Sequence, residues 1–499
     1  MAKIQNINQT LKKLSLTLLL SFLPLLFSMQ LMAQAEVDPF SDSSGSTEAD
    51  PFSDSSGSDE FSDSDDENSD AFSDTDEDSA DEAPSLEWTG FLEIEQGGHI
   101  GDKSVVDKKW ILSNRRFRLA TNPSNDMGSA FIKADFIEDS VTGESKIDLR
   151  EARVVMTPAE QIDLSIGKQV NTWGVADMLF INDLFPKNWI SNFLGRDMES
   201  MKDSANSFRM TGYLGEVTMD LVYHPEFAPD TTPTGCRLSV YNPNSQSLIA
   251  NESSCGDNSN RFNQPDSDSS ETAIRLKVQL GSYEIATYYY DGFFKNPKGL
   301  QWADSNGKGT GETDLATAGY TMLTAYYPRL TVQGASLEGQ LGPGIVALET
   351  GLYDSEEDKD GDNSLIENSK WKYLMGYRMD LSANLSAGLQ WYQEQMLQYD
   401  AYEKSVQYSD YRKKEKHNTY TMRLTIKAQQ ETLFINLFTY QRPEDKDAFT
   451  KIDVSKRLND NLEVVAGANI FEGQEHYEDR EFGMLRDNDN VFVRMKYNF

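Results

Sequence analysis

The sequence predicts an all-β fold: a transmembrane antiparallel β-barrel of about 18 strands, with about 16 as the alternative, behind a disordered acidic leader. Three observations carry that expectation. Short runs alternating between apolar and polar residues recur from Glu87 onward, the pattern of strands with one greasy and one wet face. Short turns and long polar loops take turns connecting them, as in barrels that cross a membrane. Mean hydropathy is low, −0.58. That excludes a membrane-spanning helical bundle and suits a barrel, where only every second strand residue meets lipid.

In chain order, Leu14 to Met32 is the one stretch apolar enough to cross a bilayer as a helix. It follows Lys3, Lys12 and Lys13 and ends in Ala33-Gln34-Ala35. Residues 1–35 are therefore expected to be a secretory signal peptide cleaved after Ala35, with an uncleaved anchor as the alternative that Pro24 opposes. Residues 36–84 carry 19 Asp or Glu and no Lys or Arg, more than half of the formal charge of −35. Asp38-Pro39-Phe40-Ser41-Asp42-Ser43-Ser44-Gly45-Ser46 recurs almost unchanged over 50–58. Self-repulsion and a lack of apolar mass predict an extended, disordered leader.

The barrel itself is expected over 85–499. Its strands are read at 87–96, 114–121, 127–137, 146–156, 160–170, 205–213, 215–224, 271–281, 282–291, 327–338, 343–354, 370–381, 384–396, 417–428, 431–442, 446–456, 461–471 and 489–499. The weakest of these are 87–96 and 205–213. Ile274, Leu276, Val278 and Leu280, alternating with Arg275, Lys277 and Gln279, show the pattern plainly. A soluble sheet would need a second layer over each apolar face, and the chain offers no helices to supply it. The 22 Tyr, 25 Phe and seven Trp suit aromatic girdles at the two membrane interfaces.

The last strand, with Val491, Val493, Met495, Tyr497 and Phe499 on one face, resembles the C-terminal strand of Gram-negative outer-membrane β-barrels. In those proteins the terminal Phe and the alternating apolar residues are read by the barrel assembly machinery. The resemblance implies that machinery as a partner, the Gram-negative outer membrane as the location, and lipid and lipopolysaccharide as surroundings.

The third outer connection, about 171–204, is the leading functional candidate. Met178, Leu179, Phe180, Ile181, Leu184, Phe185, Trp189, Ile190, Phe193 and Leu194 make it far more apolar than the other loops. In water they would form a sticky patch, so the segment is expected to fold into the lumen, partly helical, as a constriction. Trp173, Phe180, Asp183, Lys187, Trp189, Arg196 and Asp197 are its candidate site residues.

A strand reading Ile147-Asp148-Leu149-Arg150-Glu151-Ala152-Arg153, then Gly167-Lys168-Gln169 with Trp173-Gly174 close behind, resembles a group of proteobacterial outer-membrane porins. It includes alginate-export-type barrels and uncharacterised families often found with RND-type exporters. The resemblance covers about 145–200 and, more loosely, the barrel to Phe499. It implies a passive or export-linked channel with an inward third loop, and leaves the solute open. The acidic leader has no counterpart in that pattern.

In a closed barrel the first strand lies between the second and the last. Glu93 and Glu95 would then face Arg116 and Arg118 on one side and Arg494 and Lys496 on the other, as ion pairs at the seam. Lys133, Arg275, Lys277, Arg378, Arg423, Lys427 and Glu394 are further expected lumen charges. Two readings stay open: a mixed-sign wall that pairs with itself, and a basic track passing anionic solutes.

Glu356, Asp358, Asp360, Asp362 and Glu367 have the spacing of a calcium loop, although no helices flank them and Asn363 stands where an apolar residue normally packs. A structural calcium is one reading and a solvated acidic loop the other; no further cofactor is expected. Cys236 and Cys255, with 18 residues between them, are expected to pair as a loop staple. The four histidines are scattered, and no Gly-x-Ser-x-Gly context occurs, so an enzyme is not expected, nor a nucleic-acid partner. The leading expectation is a porin-like channel for a hydrophilic and, in one reading, anionic solute. The alternatives are an outer partner of an RND-type exporter or another periplasmic protein, and a plugged, surface-binding barrel.

Overall fold

The structure, a computed structural model, describes residues 87–499 apart from 102–104, 126–127, 243–246, 251–268, 303–309, 311–312, 314–322, 407–411 and 474–481. The expected signal peptide and acidic leader lie outside the described residues.

Eighteen long antiparallel strands form one closed sheet. In order they are β1 (Thr89–His99), β2 (Leu112–Thr121), β3 (Gly128–Asp139), β4 (Glu144–Ala159), β5 (Ile162–Val170), β6 (Ser204–Leu214), β7 (Val217–His224), β8 (Glu271–Leu280), β9 (Tyr283–Phe293), β10 (Arg329–Leu341), β11 (Gly344–Ser355), β12 (Lys370–Ser382), β13 (Leu385–Met396), β14 (Lys416–Ala428), β15 (Leu433–Arg442), β16 (Asp447–Arg457), β17 (Leu462–Glu472) and β18 (Asn490–Asn498). Both weakly patterned segments are strands, so the count is eighteen. Closure is made by β1, which pairs with β2 on one side and β18 on the other, placing Glu93 beside both Arg116 and Lys496.

Three of the turns at one end of the barrel are set by glycine. Gly215-Glu216, Gly281-Ser282 and Gly342-Pro343 each join paired strands through two residues, and each glycine holds φ near +60°. Glycine first with positive φ is what a twisted two-residue hairpin needs. The opposite connections are mostly long, with two exceptions that depart from the expected alternation: 140–143 and 443–446 are as tight as the inner turns.

The pleat divides the faces. Leu92, Ile94, Leu276, Leu280, Met375, Leu389, Val491, Val493 and Met495 are exposed, while Glu93, Glu95, Asp135, Glu349 and Phe492 are buried. An apolar exterior around a closed sheet leaves every spanning backbone group paired, which is the condition for crossing a bilayer with strands. Arg115 and Glu138 are outward exceptions. They pair with each other at 3.1 Å near the outer ends of β2 and β3, where a lipid-facing charge costs only about 0–1 kcal/mol. The closed sheet and its apolar exterior make the protein a transmembrane β-barrel.

Its apolar core is inside the barrel. One cluster holds Phe193, Leu194, Phe449, Phe471, Phe482 and Phe492, and the other Trp173, Ile181, Phe185, Tyr288, Tyr353 and Leu374. Both combine wall residues with residues of the 171–203 connection.

Candidate functional site

Residues 171–203, the third outer connection, leave β5 and lie against the inner face of the wall. Their apolar side chains explain why. Trp173 meets Phe185 edge-on at 5.0 Å and Tyr288 at 6.1 Å. Phe193, in the short helix α1 (Trp189–Phe193), stands edge-on to Phe449, Phe471 and Phe482. Asn188 caps that helix by accepting from the Ser191 amide at 2.9 Å, as an N-cap should. Gly174, at φ 91°, lets the backbone turn beside Glu349: a Cβ there would lie 3.1 Å from its carboxylate.

Polar groups fix the register of the segment. Glu349 accepts from both the backbone and side-chain nitrogens of Asn182 at 2.9 Å. Tyr353 and Tyr440 donate their hydroxyls to the carbonyls of Ile181 and Met178. Asn469 and Asn490 both donate to the Phe193 carbonyl, at 3.0 and 3.1 Å. Within the segment, Lys187 is buried with Asp183 at 2.9 Å, donates to the carbonyls of Asp183 and Phe185, and lies 4.3 Å from the Phe180 ring centroid.

The segment's acids lie on a basic arc of the wall. Asp177 takes both forks of Arg423. Asp197 reaches Arg116 at 3.4 Å and Arg494 and Lys496 at 3.8 Å. Glu199 pairs with Arg118 at 2.5 Å and Lys133 at 3.1 Å. Asp203 pairs with Arg150 at 3.2 Å, and that guanidinium also holds the carbonyls of Glu199 and Lys202. Arg196 reverses the polarity by reaching Glu95 at 3.3 Å. Burial alone would raise both carboxyls, but Arg116, Arg494 and Lys496 hold Asp197 well below the usual range. Arg118 and Lys133 pull Glu199 down to about 2.

The remaining expected lumen charges also face inward and also have partners. Arg275 forks onto Asp220 at 2.7 and 3.0 Å beneath the Trp173 ring, 5.3 Å from its centroid. Lys277 pairs with Glu284, Arg378 with Glu338, and Lys427 with Glu431. Glu394 takes Lys370 at 3.0 Å and Lys372 at 3.4 Å. At the seam, Arg116 reaches Glu93 at 2.5 Å and Arg118 grips Asp135 at 2.6 and 2.7 Å. Trp189 donates its ring nitrogen to Asp230 at 3.0 Å. Asp177, Asp220, Arg150, Glu199 and Asp230 were not singled out from the sequence. Strand parity was enough to find Asp220; Arg150 sits at a bulge in β4 beside the equally buried Glu151, where the alternation breaks.

A polar cavity of about 610 Å³ lies between the segment and β2–β4. Arg116, Asp135, Asp148 and Arg150 line it from the wall, Ser191, Arg196, Ser200 and Asp203 from the segment, and Thr231 to Leu238 from the next outer connection.

The calcium spacing does not fold into a cation cage. Glu356 turns to Lys359 at 2.8 Å. Asp358 accepts from the amides of Asp362 and Asn363. Glu367 is gripped by Lys370 at 2.6 Å and Lys413 at 2.7 Å; burial would raise its carboxyl, but these lysines and Lys298 hold it well below the usual range. Glu356, Asp358 and Glu367 are spent on different neighbours, and no group of described residues is arranged to hold a metal. Cys236 is buried and disulfide-bonded; Cys255, the chain's other cysteine, lies outside the described residues.

No known protein family and no curated protein matches the chain. Among solved structures it is similar to OccK11 (OpdR) of Pseudomonas aeruginosa, with 9% identity over 83% of this chain and 95% of that one and a TM-score of 0.46. A loop L8 deletion mutant of OmpT, an outer membrane protein of Vibrio cholerae, shares 11% identity over 83% and 99%, with a TM-score of 0.38. OmpF of Salmonella typhi, in complex with daunomycin, shares 8% over 83% and 97%, with a TM-score of 0.40. At these identities and scores the likeness adds nothing to the barrel's own geometry.

Proposed function

We propose that the protein is an outer-membrane channel for small hydrophilic solutes, narrowed by residues 171–203 to a polar route along β2–β4. The observation that carries this reading is the division of the lumen. Two apolar clusters seat the segment against the rest of the wall, and the polar cavity lies on the β2–β4 side. Selection there is by width and by exchange of hydrogen bonds with a charged lining.

The preference for anions that the basic arc favours is proposed to be weak. Each expected wall cation has a carboxylate partner, and paired charges present little net field to a passing ion. Hydrophilic solutes of either sign, up to the size of the cavity, are the expected cargo. Steady single-channel currents from the refolded protein in a planar bilayer support the reading. Silence from a correctly folded barrel contradicts it.

A further inference from the structure

The connection after β7 contains a strap that the channel reading does not use. Its first end is welded to the inward segment: Thr231 and Lys187 exchange a backbone bond at 2.8 Å, Trp189 donates to the Thr231 carbonyl at 2.9 Å, and the Asp230 carboxylate accepts from the Lys187 amide and the Trp189 ring nitrogen at 2.9 and 3.0 Å. Its second end is buried as firmly. Ser239 and Asn488, both fully buried, share three bonds of 2.8 to 3.0 Å. Between these ends, Pro233, Thr234, Cys236 and Arg237 line the cavity from the outer side.

The middle is tied to the wall differently. Arg237 donates to the Ile111 carbonyl at 2.8 Å and pairs with Asp139 at the outer end of β3. There β3 and β4 are joined by only 140–143, with no long loop above the rim. Both partners keep some exposure, 12% and 13%, while Asp230 at the first end and Ser239 at the second are buried. We propose that residues 230–239 are a roof over the cavity and that the Arg237–Asp139 pair is its latch, so that the latch sets how far the channel opens. The inference rests on the proposed route along β2–β4. An ion pair that keeps some contact with water at the outer end of the barrel responds to salt, while the buried Asp230 and Ser239 ends act as hinges.

Single-channel recordings of the full refolded chain test this, comparing wild type with Arg237→Ala, Asp139→Asn and the charge swap Asp139→Arg/Arg237→Asp. Folding is checked by resistance to unfolding in detergent. Either single variant is expected to raise open-channel conductance or open fraction by about twofold or more, and the swap to return it toward wild type. Two different single variants keep the test alive if one fails to fold. Asp197→Asn/Glu199→Gln serves as the control for the route itself. If the control changes selectivity while the latch variants conduct like wild type, the roof is wrong and the route stands. If none of the variants alters the current, both fall.

Discussion

Lys187 shows how a charge survives inside an apolar lining. Its ammonium has Asp183, two carbonyls and the face of Phe180, so its desolvation is compensated locally. Removing it strands the Asp183 carboxylate. Lys187→Met is therefore expected to destabilise the barrel by about 3–5 kcal/mol, read as a lower midpoint of denaturant unfolding; a midpoint equal to wild type would mean that water reaches the pair. Asp445, in the tight 443–446 connection, shows the acid limit. Burial would raise its carboxyl, but hydrogen bonds from His417 and Lys414, with Arg442 nearby, hold it below the usual range. A folded-state carboxyl depressed below its unfolded value of about 3.9 contributes stability above that value and loses it as pH falls. Glu199 and Glu367 act in the same direction. The stability these three carboxylates contribute should therefore be complete above about pH 5 and be lost progressively below about 4, with Asp445→Asn removing part of that loss. An unfolding midpoint independent of pH over that range would contradict these pairings.

Among the elements, the inward segment was the most legible. A run of ten large apolar residues in a loop has few places to go in a barrel, and the connection itself opens on the Trp173-Gly174 step. Gly174 adopts φ 91° beside Glu349, so Gly174→Ala should cost about 1–3 kcal/mol and loosen the segment. Faster proteolysis between residues 174 and 203 would register it, and unchanged cleavage would show that the turn is not needed. What the sequence does not carry is the pairing of that segment with the wall. Asp177 meets Arg423 across 246 positions, and nothing local to either residue announces the other. The calcium spacing misled for a related reason. A ligand pattern reports where oxygens could go, while Lys370 and Lys413, outside the pattern, decide where Glu367 does go.

For the whole molecule, alternation was enough to place all eighteen strands within a few residues of their observed ends. Lipid on one side and charged side chains on the other penalise any one-residue slip along a strand's length. Closure then follows from an even count, and with it the seam of Glu93 against Arg116 and Arg494. Pore dimensions were not legible, because they depend on how two apolar clusters and one connection divide the lumen. The central claim is that the carboxylates of this segment mask a basic arc beside the route. It is tested most directly by the reversal potential of Asp197→Asn/Glu199→Gln against wild type in a salt gradient. Unmasking Arg116, Arg118, Lys133, Arg494 and Lys496 should move the potential toward anion selectivity, more so at low salt. A reversal potential that stays at the wild-type value, in a barrel that still conducts, would mean that ions do not pass these residues and that the route lies elsewhere.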